Sequence, residues 1–264
     1  MKIMDLRIKN KVAIVTGAST GIGFAIAHSL ANSGVKVLLV SRNTNKLKIA
    51  VNKIQTDGGQ AEYISADVSK TPSAKNVIKK CLKIWGNIHI LVNNTGGPPP
   101  GNLMSQNEKN WNFAIQNNLL SVVRFSREVI PVMKKNRWGR IVTIGSTITK
   151  EPSPEMILSA TSRGGLAAFN KAVAIDFAKY NICANIVSPG GILTDRFINL
   201  VKIAAKNNKT TYSKKLLEIK NSIPAGRVAN PIEIANVVSF LSSELSGYIN
   251  GVDISIDGAF TKGF

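Results

Sequence analysis

Cysteine and histidine are scarce, with two of each in 264 residues, and no apolar run reaches the roughly 20 residues that a bilayer-spanning helix requires. Cys81 and Cys183 lie far apart, which excludes a disulfide scaffold and suits a reducing compartment. His28 and His89 fall in a helical and a strand-like segment, with no carboxylate or cysteine at ligand spacing, so no metal site is expected. Met1 to Lys11 carries charge but no apolar stretch followed by small residues, and no secretory signal is expected. Acidic residues are few as well: 15 Asp and Glu face 34 Lys and Arg, a net charge of +19. Such a surface attracts phosphate groups, nucleic acid or anionic lipid. The cations are scattered, however, and the tightest clusters are the pairs Lys79-Lys80, Lys134-Lys135 and Lys214-Lys215. No nucleic-acid reading motif accompanies them, so solvated basic faces are expected rather than a specific nucleic-acid or membrane surface. What is abundant is apolar: 44% of residues, with a mean hydropathy of +0.06, enough for a sizeable core. The expectation is a soluble, cytoplasmic protein.

Strand-like and helix-like segments alternate. The strand-like runs are 11–16, 35–40, 61–66, 88–92, 140–144, 182–187 and 252–256. Helical spacing of apolar residues covers the stretch after Ile22, then 43–55, 73–85, a long span of 107–135, most of 153–180, and 231–242. Strands separated by helix-length segments imply βαβ units, hence a parallel sheet with helices on both faces. One break in the rhythm, Asp195 to Ile223, reads as a polar, Lys-rich insertion. A single domain over 1–264 is the economical reading.

The first strand ends in Thr16-Gly17-Ala18-Ser19-Thr20-Gly21-Ile22-Gly23 and runs straight into a helix. Glycines there permit a tight turn and close backbone approach, so that helix N-terminal amides can meet a pyrophosphate. The second strand closes with Ser41-Arg42-Asn43. An acid at this point would bind the ribose 2′-hydroxyl of NAD, whereas an arginine accommodates the 2′-phosphate of NADP. Arg42 therefore favours NADP over NAD, unless it is simply one more solvated arginine of a basic surface.

These motifs, with others in the same order, resemble the classical short-chain dehydrogenase/reductase family over essentially the whole chain. Thr16 to Gly23 is similar to its glycine motif, Asp67-Val68 to its adenine contact, and Asn93-Asn94-Thr95-Gly96 to its Asn-Asn-Ala-Gly. Asn118-Leu119 resembles the helix that holds a proton-relay water. Gly139-Arg140-Ile141-Val142 leads to Ser146, and Pro189-Gly190 with Ile192 and Thr194 resembles the loop over the nicotinamide. Ile223 to Arg227 and Asp257-Gly258 match the C-terminal signature. The subgroup most resembled is that of 3-oxoacyl-[acyl-carrier-protein] reductases. The resemblance implies a Rossmann-like, doubly wound α/β fold with a seven-stranded, mostly parallel sheet. It implies cofactor contacts from Gly17, Ser19, Thr20, Gly21, Ile22, Gly23, Arg42, Asp67, Val68, Asn94, Gly96, Arg163, Ile192 and Thr194. It also implies a small-molecule or acyl-thioester substrate, a lid at 195–223, and a homotetramer or dimer built on the two long helices.

One departure concerns the chemistry. The family carries Tyr-x-x-x-Lys on the helix after the catalytic serine, two residues that share one helix face. Thirteen residues beyond Ser146, at the tyrosine position, stands Ser159; four further, at the lysine position, stands Arg163. A serine hydroxyl is shorter and a poorer acid than a phenol of pKa about 10. Arg163 keeps the charge but cannot take part in a proton relay. Ser146, Asn118, Ser159 and Arg163 are the candidate catalytic residues, with a non-standard proton donor. Ser159 and Arg163 resemble a reductase-like subgroup without the standard tetrad, in which the Asn93 to Pro100 run also recurs. Tyr212, in the expected lid, is a candidate to supply the missing phenol. The alternative is an NADP-binding protein of weak turnover that acts as a regulatory or scaffold subunit.

Overall fold

Short β-branched runs become strands, and helices carry the chain back across the sheet between them. The computed structural model describes residues 5–263; the first four residues of the segment read for a signal lie outside that range. The strands are β1 (Val12–Thr16), β2 (Lys36–Ser41), β3 (Gln60–Ser65), β4 (Ile90–Asn93), β5 (Gly139–Ile144), β6 (Ile182–Pro189) and β7 (Asp253–Ile256). They form one seven-stranded sheet in the order β3-β2-β1-β4-β5-β6-β7, and every pairing is parallel. All residues of β1, β4, β5 and β6 are buried, as strands covered on both faces must be.

The helices are α1 (Gly21–Asn32), α2 (Thr44–Thr56), α3 (Thr71–Trp85), α4 (Glu108–Ala114), α5 (Ser121–Asn136), α6 (Ile157–Phe177), α7 (Asp195–Asn207), α8 (Tyr212–Ser222) and α9 (Pro231–Leu241). Ile26 and Leu30 of α1, Leu47 of α2 and Ile234 and Val238 of α9 pack with Ala13, Val15, Val37 and Leu39 on one face of the sheet. Val77 of α3, Phe125, Val129 and Met133 of α5 and Val173 of α6 pack with Ile14, Leu38, Val40 and Leu91 on the other. The strand order reverses direction between β1 and β4, and a crevice opens at their C-terminal ends, the place where doubly wound sheets bind ligands.

Two expectations gain detail. The helical stretch expected over 107–135 is continuous but not uniformly α: α4 passes through a π-helical turn, Ile115–Leu120, into α5. Such wide turns re-aim consecutive side chains. Here Asn117 and Asn118 both reach the segment after β4: Asn117 Nδ2 donates to Gly96 O at 2.8 Å and Asn118 Nδ2 to Thr95 Oγ1 at 2.9 Å. The expected insertion at 195–223 is two helices, each capped by a threonine: Thr194 Oγ1 accepts from the Phe197 N–H and Thr211 Oγ1 from the Lys214 N–H. Val201 and Ala205 turn the apolar side of α7 inward. No helix among the described residues is long and apolar enough to cross a membrane.

Candidate functional site

The turn between β1 and α1 is built for close backbone approach. Gly17 and Gly21 have φ of +59° and +58°, the left-handed region that favours glycine. A Cβ on Gly17 would lie 2.5 Å from the Asn94 carbonyl oxygen, and one on Gly23 would overlap the Gly17 carbonyl. Asn94 locks the turn from the end of β4. Its N–H donates to Thr16 Oγ1 at 2.9 Å, and the Thr16 hydroxyl donates back to the Asn94 carbonyl at 2.9 Å. Its Nδ2 donates to the carbonyls of Thr16 and Gly17 at 3.3 and 3.2 Å. Thr20, the cap of α1, gives its side chain to no backbone group, and the first turn of α1 carries no acid. The amide end of α1 and its dipole are thus free to meet an anion.

This turn forms one wall of a cleft of about 340 Å³. Gly17, Ser19, Thr20, Gly21, Ile22, Arg42, Asp67, Val68, Asn94, Gly96 and Thr194 all line it. Gly23 lies on neither wall of cleft or pocket; it is buried in the close packing of α1 against the turn. Ser19 Oγ and Ser41 Oγ are 3.0 Å apart, tying the turn to the end of β2. Burial alone would raise the Asp67 carboxyl, but hydrogen bonds from the Ser69 hydroxyl and N–H, at 2.7 and 3.0 Å, and the charges of Arg42 and Lys70 hold it below the usual carboxylate range.

Beyond Asn94 and Thr95 the cleft continues into a pocket of about 270 Å³, which holds Ser146, Ser159, Arg163 and Ile192. Ser146 follows β5, and its Oγ accepts only a long bond from the Ile148 N–H, 3.4 Å. Ser159 and Arg163 sit one turn apart on α6, 3% and 8% exposed. Arg163 Nη1 donates to Ser159 Oγ at 2.8 Å. Burial, and then the neighbouring charge of Arg196, pushes the Arg163 guanidinium down to about 10. Asn118 is not on the pocket wall. It is 1% exposed and stands behind the wall, where its amide holds Thr95 and Gly96. The Thr95 hydroxyl, at the position of an alanine in the resembled motif, is what accepts from it.

The proline run after β4 is anchored rather than loose. Arg196, in the first turn of α7, donates to the carbonyls of Gly97 and Pro98 at 2.9 and 3.0 Å. The Gly101 N–H donates to Glu155 O at 2.7 Å, a backbone bond from the loop to the turn just before α6 that closes the far end of the run. Sequence reasoning missed Arg196, whose partners lie almost a hundred residues away in the chain, and the locking role of Asn94. Tyr212 opens α8 and lines neither cleft nor pocket, and no other tyrosine does. His28 pairs with Asp57 at 2.7 Å, and His89 Nδ1 accepts from the Val12 N–H at 3.0 Å, so both histidines serve the scaffold.

The model of the short chain dehydrogenase family matches residues 11–203. The chain is 35% identical over 257 residues to 2,3-dihydro-2,3-dihydroxybenzoate dehydrogenase of Bacillus subtilis (strain 168), a match that covers 97% of this chain and 98% of that protein. It is 34% identical over 253 residues to the 3-oxoacyl-[acyl-carrier-protein] reductase FabG of Escherichia coli (strain K12), covering 96% of this chain and 98% of that one. Among solved structures, L-sorbose reductase from Gluconobacter frateurii, complexed with NADPH and L-sorbose, superposes with a TM-score of 0.94 at 30% identity, covering 99% of this chain and 100% of that one. The family match spans most of the sheet, and the relatives extend it over nearly all of the fold just described: the chain belongs to the short-chain dehydrogenase family.

Proposed function

We propose that the protein is an NADP-dependent oxidoreductase acting on a carbonyl or alcohol, with Ser146 and the Ser159–Arg163 pair in place of the usual tyrosine and lysine. The observation that carries this reading is the continuity of the two spaces. A cradle that a Cβ would fill, at Gly17 and Gly23, leads past Asn94 into a pocket holding three polar groups suited to a reacting oxygen. The cleft fits the dinucleotide: the glycine turn and the free amide end of α1 suit a pyrophosphate, and Arg42, with no acid closing β2, suits a 2′-phosphate. The G. frateurii reductase is complexed with NADPH, and an Agrobacterium tumefaciens 3-oxoacyl reductase has NADP bound, which supports the same choice here. When bound, NADP supplies or accepts the hydride.

The chain's own residues handle the oxygen. A guanidinium has no acceptor, so in the 2.8 Å contact Arg163 is the donor and Ser159 Oγ the acceptor. That leaves the Ser159 proton free to point into the pocket, on a hydroxyl polarised by a cation. Ser146 offers a second hydroxyl donor to oxygen charge that develops as hydride arrives. Asn118 acts through Thr95 and Gly96, fixing the wall on which substrate rests. The two curated relatives, one named for a dihydrodihydroxybenzoate and one for a 3-oxoacyl carrier protein, keep both alcohol oxidation and carbonyl or thioester reduction within the proposal. The exposed small residues Ala167, Ala168 and Ala172 on α6 suit close packing in a homotetramer or dimer. Two buried, unpaired cysteines suit the cytoplasm.

Following NADPH absorbance across 3-oxoacyl thioesters, oxo acids, quinones and sugars tests the reading. Turnover that collapses in Ser146→Ala establishes the enzyme. Tight NADPH binding without turnover on any of them establishes the second reading, a cofactor-binding subunit of weak activity, which the loss of the phenol at Ser159 favours.

A further inference from the structure

We propose that the pocket takes a substrate with a carboxylate close to its reacting carbonyl or alcohol carbon, held by Arg163 at the floor and Arg196 at the mouth. This assignment rests on the oxidoreductase reading and narrows it. Arg163 is 8% exposed, and among the described residues only one of its five N–H donors finds a partner, the Ser159 oxygen at 2.8 Å. No carboxylate lies within 4.0 Å of Arg163 or Arg196 among the described residues. Buried charges are ordinarily paired, because a lone one forfeits its hydration without return. Arg163 has the reverse: the charge that bears on it is another cation, Arg196.

Arg196 fixes itself by donating to the Gly97 and Pro98 carbonyls, which satisfies donors but leaves its charge uncompensated. It lines the junction of cleft and pocket. The one acid on the pocket wall, Glu151, accepts from the Lys262 N–H and does not pair with either arginine. The cofactor does not account for the pair. Its phosphates have the glycine turn, the α1 amides and Arg42, all on the cleft side, whereas Arg163 lines only the pocket. Ribose hydroxyls would occupy donors of Arg163 and leave its charge unmet. A carboxylate satisfies both, because it accepts two parallel N–H donors from a guanidinium. Ile144, Met156, Phe197 and Leu200 give the rest of this space of about 270 Å³ a largely apolar wall, so the acid is compact and its far end apolar. A thioester presents no charge at its reacting end and leaves the arginines as they are.

The test uses the NADPH-saturated protein and calorimetric titration with 2-oxobutanoate, 4-methyl-2-oxopentanoate and phenylpyruvate, each against its methyl ester. At least one acid is expected to bind about tenfold or more tighter than its ester, a preference of that size being a single well-made ionic contact. Arg163→Met and Arg196→Gln should each reduce the preference to about threefold or less; Arg196 is exposed on α7, and an unchanged melting temperature of Arg196→Gln shows that the loss is not one of fold. Equal binding of acid and ester, or no binding of any acid, overturns the proposal. So does an acid that binds the free protein but is displaced by NADPH, because the arginines then serve the cofactor. NADPH titration of the wild type, run first, separates the two readings: intact NADPH binding with no acid preference removes this proposal alone, and absent NADPH binding removes the cofactor reading beneath it.

Discussion

The two halves of the crevice follow different rules. The cleft over β1 and β2 is made from backbone: glycines without room for a Cβ, the free amide end of α1, and Asn94 holding the turn by its own main chain and amide. The pocket beyond it is made from side chains, Ser146, Ser159 and Arg163. Backbone geometry tolerates little change because every neighbour depends on it, whereas a side-chain constellation can drift while the scaffold stays. That contrast explains how a phenol and an ammonium can be absent from an otherwise complete fold.

The contrast is broken most easily at the turn. Gly17→Val places a branched side chain at φ +59° against the Asn94 carbonyl, and NADPH affinity should fall by about a hundredfold or more, with a lower melting temperature. A near-wild-type affinity would show that the turn yields. Next in size, Ser146→Ala should lower kcat by about 10²–10³ with NADPH affinity unchanged, the pattern of a group that acts on developing oxygen charge. Ser159→Ala should cost less, about tenfold in kcat, because Ser146 and a hydrogen bond from Arg163 still meet the developing oxygen charge. An equal loss in the two variants would give the Ser159 hydroxyl a share in the reaction as large as that of Ser146.

The smallest effect belongs to the scaffold. Burial, and then the charge of Lys11, pushes His89 from 6.5 to about 4. Between those values the unfolded chain binds a proton that the folded chain refuses, so stability is complete above pH 6.5 and declines as the pH falls toward 4. His89→Gln, with melting followed from pH 7 to pH 4, should flatten that decline and leave NADPH affinity alone.

The same division governs what the sequence discloses. Strand and helix positions follow from apolar spacing, and the phosphate-binding turn follows from glycines inside one continuous stretch. The π turn inside the long helix at Ile115–Leu120 does not, because it preserves apolar residues on both sides and is stabilised by contacts to Thr95 and Gly96, some twenty residues away. The helices of 195–223 are marked by their threonine caps and, in α7, by apolar residues at helical spacing such as Val201 and Ala205, signals that a Lys-rich composition obscures. Arg196 is a surface arginine by sequence, and only the fold brings it against Gly97 and Pro98. Thr95 differs from the resembled motif by one residue, and its role as the acceptor for Asn118 requires the distance between them.

Cofactor choice is the point on which both halves of the account depend, and parallel fluorescence titrations with NADPH and NADH, on the wild type and on Arg42→Ala, test it most directly. With Arg42 on the 2′-phosphate, NADPH should bind the wild type at least about tenfold tighter than NADH, the size of one charge-assisted phosphate contact, and Arg42→Ala should remove the preference while leaving NADH affinity as it was. Equal affinity for the two cofactors in the wild type, or a preference that survives in Arg42→Ala, would contradict it.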